Sequence, residues 1–263
     1  MAPGENRADE KTGMLAWSHQ DDSQNEGVPW GPFRSPVYLT LGGIRISMEE
    51  KGSNYIYRRE GGGETVDKVI LAETGILRFS PVEPLPRPPG LSAHLLIDFA
   101  WSVVMEPRAE RSIYVLFPLS IAAIIENRRK EDNLLDLFSL NKSKYTLYGN
   151  VREGLICRYW QSEIYESIPP ANPFELGILQ IEIKNSTAKW VEINKAVFSA
   201  YGMKIYFSPN LVTLNAVMKI AGDQTAETTF IDKPIQAGMH EAWCQFIPKP
   251  LTQQGRTIMG EGY

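Results

Sequence analysis

The feature of the sequence that most limits its fold is a series of short segments in which apolar and polar residues alternate. Alternation of this kind runs over residues 37–41, 94–105, 178–184 and 212–220. A period of two is strand spacing, because successive side chains of a β-strand point to opposite faces. Glycine, proline and asparagine separate the segments and favour turns between them. The pattern predicts a protein made mainly of short strands.

Composition and charge exclude several classes of protein. With 43% hydrophobic residues over 263 positions, the chain is long enough for one large domain or two small ones. The net charge of -4 provides no basic surface for nucleic acid. Residues 1–13 lack the apolar region of a signal peptide, and the longest apolar window, residues 113–125, is shorter than the roughly 20 residues that span a bilayer. We therefore expect a cytoplasmic protein without direct membrane insertion.

The expected fold is all-β, with one short helix, arranged as two β-sandwich-like halves. After residue 173, six short alternating segments at regular spacing suggest an immunoglobulin-like sandwich for the C-terminal half. The predicted order is a flexible N-terminal tail (1–32), an N-terminal β-rich half (33–130), a helical or turn junction (131–150), a C-terminal β-sandwich (151–250) and a flexible C-terminal tail (251–263).

The junction and the segment after it are the most distinctive part of the chain. Four apolar residues follow Glu131 and Asp132 within about one and a half helical turns, which favours a short helix. Residues 155–162 then alternate with apolar groups on both sides, which indicates a covered strand. Tyrosine, tryptophan and arginine commonly anchor interfaces. We predict a binding surface here; alternatively, the same residues hold the two halves together. They are Tyr145, Tyr148, Arg152, Arg158, Tyr159 and Trp160.

Three segments resemble a known family. YLTLGGIRISMEE, LFSLNKSKYTLYGNVREGLICRYW and GILQIEIKNSTAKWVEINKAVF are similar to the archaeal and bacterial family catalogued as domain of unknown function four-three-two. The resemblance extends over about residues 37 to 250. It transfers no catalytic motif to this chain. It implies an association with a small-conductance mechanosensitive channel, because members are often encoded beside such channels.

Few residues offer catalytic chemistry. Asp98 interrupts an apolar run and is either a functional carboxylate with a raised pKa or the partner of an arginine. His94 lies on the same strand face and could join Asp98 in a metal or proton-transfer pair. Cys157, His240 and Cys244 are weak candidates for a metal site, and the alternative is that the cysteines are small apolar core residues.

The leading hypothesis is a non-enzymatic accessory or binding protein that needs no cofactor. A membrane channel is the possible protein partner, and no nucleic-acid partner is expected. The sequence contains no GxSxG, HExxH, GxxxxGK[ST] or GxGxxG motif after a strand. The alternative is a carbohydrate-active or metal-dependent hydrolase on a β-sandwich scaffold, since two facing carboxylates suffice for glycoside hydrolysis.

Overall fold

The computed structural model describes residues 30–84, 92–127, 132–200, 203–244 and 256–263. Within these ranges the only regular structure is β-strand, and no helix could span a membrane. The first ten strands are β1 (Gly31–Arg34), β2 (Val37–Leu41), β3 (Ile44–Lys51), β4 (Asn54–Gly61), β5 (Glu64–Ile70), β6 (Ile76–Val82), β7 (His94–Met105), β8 (Glu110–Pro118), β9 (Ser120–Glu126) and β10 (Asp132–Phe138). The others are β11 (Tyr145–Tyr148), β12 (Leu155–Ser162), β13 (Ile164–Tyr165), β14 (Leu176–Asn185), β15 (Val191–Ser199), β16 (Tyr206–Ser208), β17 (Leu211–Ile220), β18 (Ala226–Phe230), β19 (His240–Glu241) and β20 (Arg256–Met259).

The described strands form four sheets. The first is the antiparallel meander β2-β3-β4-β5, in which Gly42 and Gly43 have positive φ angles that suit the tight turn between β2 and β3. The second has the order β1-β6-β9-β10, and the third β11-β12-β7-β15. The largest has the order β13-β8-β14-β17-β16-β19, with β18 on β17 and β20 on β18. The predicted all-β, sandwich-like class is confirmed.

One hydrophobic core joins the two predicted halves. Phe79 and Ile97 belong to the same buried cluster as Ile181 and Leu214. The sheets also cross the predicted boundary, because β7 pairs with β12 and β15 while β8 pairs with β14. The division of the chain into two halves at these bounds stays a prediction.

Two of the four sheets are mixed rather than wholly antiparallel. β12 pairs with β7 in parallel, and so does β14 with β17. An immunoglobulin domain is built from antiparallel sheets. The parallel pairs differ from that arrangement, and the immunoglobulin-like topology expected for the C-terminal half stays a prediction.

The short helix predicted at the junction is wrong for the described residues. Residues 132–138 form β10, which pairs with β9, and the register shifts between Leu134 and Asp136. A β-bulge adds one residue to a strand, so side chains three positions apart can share a face. Leu134 and Leu137 accordingly both pack on the small cluster around Ile124. The bulge produced the helix-like spacing that misled the sequence analysis.

Both predicted tails contain structured residues. Residues 1–29, including Trp17, lie outside the described residues, but Trp30 is buried against Phe174 and Phe207, directly before β1. The C-terminal tail predicted for residues 251–263 is wrong over residues 256–263, because β20 pairs with β18. Met259 and Tyr263 are buried in the main core, which fixes the chain end.

Candidate functional site

The six residues of the predicted surface are divided between the two faces of one sheet. β11 and β12 form a hairpin, and β11 is the edge strand of the order β11-β12-β7-β15. Strand alternation places Tyr145, Arg158 and Trp160 on one face, and Tyr148 and Tyr159 on the other. Arg152 lies in the exposed turn between the two strands. The role of these residues as one binding surface stays a prediction, and the structure places them on two faces that the sequence alone did not separate.

Arg158 has the most unusual environment on its face. Only 2% of the residue is exposed, yet among the described residues it takes part in no ion pair. Its Nη2 donates a long hydrogen bond of 3.4 Å to the carbonyl oxygen of Lys142, and its guanidinium carbon lies 5.9 Å from the centre of the Tyr145 ring. The buried Nε–H has no acceptor within the described ranges. Burial lowers the pKa of Arg158, and the interaction with Tyr145 opposes this only in part.

A second unsatisfied donor lies on the same face. The indole Nε1–H of Trp160 is buried and finds no acceptor in the part of the chain that the structure describes. Trp160 follows Arg158 by two positions on β12, so their Cα atoms are separated by about 7 Å. Two buried donors without acceptors on one strand face are uncommon, since most buried polar groups are hydrogen-bonded. The pair suits an acceptor that carries more than one oxygen.

Arg59 shows what a satisfied buried arginine looks like in this protein. Its side chain is 3% exposed, and its Nε donates a 2.6 Å hydrogen bond to Asp136, which also accepts a 2.9 Å bond from the Tyr57 hydroxyl. Burial lowers the pKa of Arg59, but its hydrogen bonds to Asp136 and Glu64 outweigh that effect, so the pKa is raised. Both arginines are buried beside an aromatic ring, and of the two only Arg59 has a carboxylate partner among the residues described.

Arg158 is surrounded by partly exposed apolar side chains on its own face, and the segment of sequence around it carries more cations than acids. Tyr145, Leu147 and Ile156 share its face and are exposed by 39%, 42% and 45%. Residues 139–160 carry four cations, Lys142, Lys144, Arg152 and Arg158, against one acid, Glu153. This local excess contrasts with the net negative charge of the whole chain. It was visible in the sequence, whereas the missing carboxylate was not.

The opposite face of the sheet contains a polar cavity of about 450 Å³. Asp98, Tyr159, Lys195 and Glu261 line it, and the Tyr159 hydroxyl donates a 2.9 Å hydrogen bond to Asp98. The predicted arginine partner of Asp98 is therefore replaced by a tyrosine. Glu261 reaches the cavity because the chain end is held there: the hydroxyl of Tyr148 donates to the carbonyl of Gly262 and accepts from the amide of Glu261. Sequence analysis missed Lys195 and Glu261.

His94 and Asp98 do not meet. They lie four positions apart on β7, about 13 Å along the strand, so one metal ion or one transferred proton cannot contact both directly. Burial lowers the pKa of His94, which favours the neutral imidazole. The hypothesis of a His94–Asp98 pair is wrong.

Cys157, His240 and Cys244 occupy different parts of the structure. Cys157 is fully buried on β12, and burial raises the pKa of its thiol to about 12. His240 lies on β19 beside Phe207, and Cys244 is exposed, with its thiol 3.4 Å from a carboxylate oxygen of Glu83. No three histidine, cysteine, aspartate or glutamate residues within the described ranges are grouped to hold a metal ion.

The fold and the site define an all-β protein in which the strand next to a sheet edge carries a buried arginine with no carboxylate partner among the described residues. A family model described as "Protein of unknown function (DUF432)" matches residues 29–259. The chain belongs to this family. No curated protein and no solved structure gives a significant match.

Proposed function

We propose that this protein is a non-enzymatic binding module that recognises an anionic group of a partner through Arg158. The observation that carries the proposal is a residue that is 2% exposed and whose guanidinium has no carboxylate among the described residues. Arginine stays charged in proteins, so within the described part of the fold this cation has no counter-charge. Burying a charge without a partner costs several kcal/mol, and a carboxylate or phosphate from outside would remove most of that cost.

Arginine suits this role because its planar guanidinium donates to two oxygens of a carboxylate or phosphate at once. The adjacent indole N–H of Trp160 adds a third donor on the same face. Tyr145 is the half-exposed side chain nearest to the guanidinium, and it belongs to the edge strand. Rotamer changes of exposed side chains take picoseconds to nanoseconds. Rotation of the Tyr145 ring would therefore admit a ligand without rearrangement of the sheet.

The proposal is tested by nuclear magnetic resonance titration of the ¹⁵N-labelled protein with inorganic phosphate and with N-acetylglutamate. The Arg158 Nε–H and Trp160 Nε1–H signals are assigned from their loss in Arg158→Met and Trp160→Phe variants. We expect both signals to shift in a saturable way in the wild type. In Arg158→Met the Trp160 shift should be lost. An Arg45→Met variant, which removes an exposed cation on another sheet, should behave as the wild type.

Binding of phosphate that leaves both side-chain signals unmoved would overturn the proposal. So would equal binding by the wild type and Arg158→Met. A membrane-channel partner, which the family resemblance implies, and a cytoplasmic location both stay predictions. An acidic segment on such a partner would match the chemistry of the site.

A hydrolase is the second candidate, and one observation favours it. Asp98 and Glu261 line the same polar cavity, and glycoside hydrolysis needs two carboxylates across a cleft. A panel of aryl glycosides tests this candidate. Turnover that is abolished in both Asp98→Asn and Glu261→Gln would establish it, and absence of turnover by the wild type on the whole panel would count against it.

A further inference from the structure

We infer that the ligand of the Arg158 site is an extended acidic peptide segment that adds as a new strand to the free edge of β11. The inference rests on the proposed function and specifies its ligand. Extended peptides bind exposed sheet edges through main-chain hydrogen bonds, while side-chain contacts supply specificity. Three features of the edge carry the inference: its unused backbone groups, its apolar side chains and its charge.

The register of the hairpin shows which backbone groups are unused. The amide of Tyr159 donates to the carbonyl of Lys144 over 2.9 Å. In an antiparallel ladder, hydrogen-bonded and non-hydrogen-bonded pairs alternate. Thr146 and Cys157 therefore form a hydrogen-bonded pair, whereas Tyr145 opposite Arg158 is a non-hydrogen-bonded position. Leu147 opposite Ile156 is also non-hydrogen-bonded, so the N–H and C=O groups of Tyr145 and Leu147 point to the edge of β11 that pairs with no other described strand.

The exposed side chains lie beside these backbone groups. Tyr145 and Leu147 supply the outward N–H and C=O groups, and their side chains are 39% and 42% exposed on the face of Arg158. Edge strands are commonly protected by charged residues, proline or a bulge. β11 has the sequence YTLY and a continuous register with β12, so it has none of these devices.

Charge defines the peptide that fits this edge. Arg158 is in the second strand, and its guanidinium extends over Tyr145 towards the edge. A strand added to β11 would lie about 10 Å from β12, two strand spacings away. The side chain opposite Tyr145 on the same face is thus the nearest one to Arg158. Glutamate at that position would supply the missing carboxylate, and exposed Lys142 and Lys144 would favour further acids.

The test uses a fluorescein-labelled, seven-residue peptide that alternates glutamate with valine, followed by fluorescence anisotropy with the full chain. We expect saturable binding at least tenfold tighter than that of free N-acetylglutamate. A peptide with lysine in place of glutamate should not bind, and N-methylation of alternate peptide amides in one of the two registers should abolish binding. Leu147→Pro removes an outward N–H without removing a bond to β12, and should weaken peptide binding at least tenfold.

The outcomes separate this inference from the proposed function. If Leu147→Pro loses peptide affinity but keeps the phosphate-induced shift of Trp160, edge addition is supported in a folded protein. If the peptide binds no more tightly than N-acetylglutamate, or binds equally to Leu147→Pro, the inference is overturned and the anion site remains. If neither phosphate nor peptide affects Arg158, both proposals fail.

Discussion

Replacing Arg158 by methionine is expected to stabilise the folded protein while it removes ligand binding. Methionine is apolar, unbranched and similar in length to the arginine stem, so it can occupy the same space. Replacing a buried ion pair by apolar residues of similar volume is often neutral or stabilising by about 1–4 kcal/mol, and a buried arginine without a carboxylate has no ion-pair energy to offset its desolvation. The lost contact with the Tyr145 ring offsets about 0.5–1 kcal/mol, since that ring is partly exposed. We expect a net gain of up to about 3.5 kcal/mol in the free energy of unfolding.

Arg59→Met is the matched control, because Arg59 is equally buried and also contacts an aromatic ring. The difference is Asp136, whose side chain is 7% exposed and would lose its cation. Breaking a buried ion pair by removing one partner costs about 3–5 kcal/mol. The two arginine-to-methionine substitutions should therefore change the free energy of unfolding in opposite directions.

Urea unfolding monitored by tryptophan fluorescence measures both effects. The midpoint for Arg158→Met should rise, and that for Arg59→Met should fall, with similar slopes for the three proteins. A loss of stability in Arg158→Met comparable to that in Arg59→Met would show that Arg158 has a stabilising partner in the free protein, which contradicts a buried arginine that waits for an anionic ligand.

Two further predictions concern the C-terminal strand and the cysteines. Met259→Ala should lower the free energy of unfolding by about 2–5 kcal/mol, because Met259 is fully buried. Ile258→Ala, at a 67% exposed position, should change it by less than about 0.5 kcal/mol. Equal effects of the two substitutions in urea unfolding would contradict the docking of this strand. Iodoacetamide at pH 8 should alkylate exposed Cys244 and should modify Cys157 only after denaturant is added, because burial raises the pKa of the Cys157 thiol to about 12. Mass spectrometry that finds both cysteines modified in the native protein would contradict this prediction.

The parts of the fold that could be predicted from the sequence are those set by local patterns. The β2–β5 meander follows from alternation and glycine turns, and the positive φ angles of Gly42 and Gly43 suit the turn between β2 and β3. β10 was mistaken for a helix because its bulge at residues 134–136 changes the side-chain period. The docking of residues 256–263 depends on pairing with β18, far away in the sequence, and short polar segments give no signal of such pairing.

The candidate site was predictable in position but not in chemistry. The concentration of tyrosine, tryptophan and arginine in residues 145–160 marked the hairpin. Which arginine is paired depends on long-range contacts: Arg59 meets Asp136 77 positions away, while no acid is brought to Arg158. The partner of Asp98 was missed for the same reason, because parallel pairing of β7 with β12 brings Tyr159 to it.

The most direct test of acidic-peptide binding at Arg158 is a crystal structure of the protein with the alternating glutamate–valine peptide. We expect a glutamate carboxylate to accept hydrogen bonds from the Nε–H of Arg158 and the indole N–H of Trp160, at about 2.7–3.0 Å. A complex in which the peptide carboxylates lie elsewhere and the Nε–H of Arg158 still has no acceptor would contradict recognition of the peptide through Arg158.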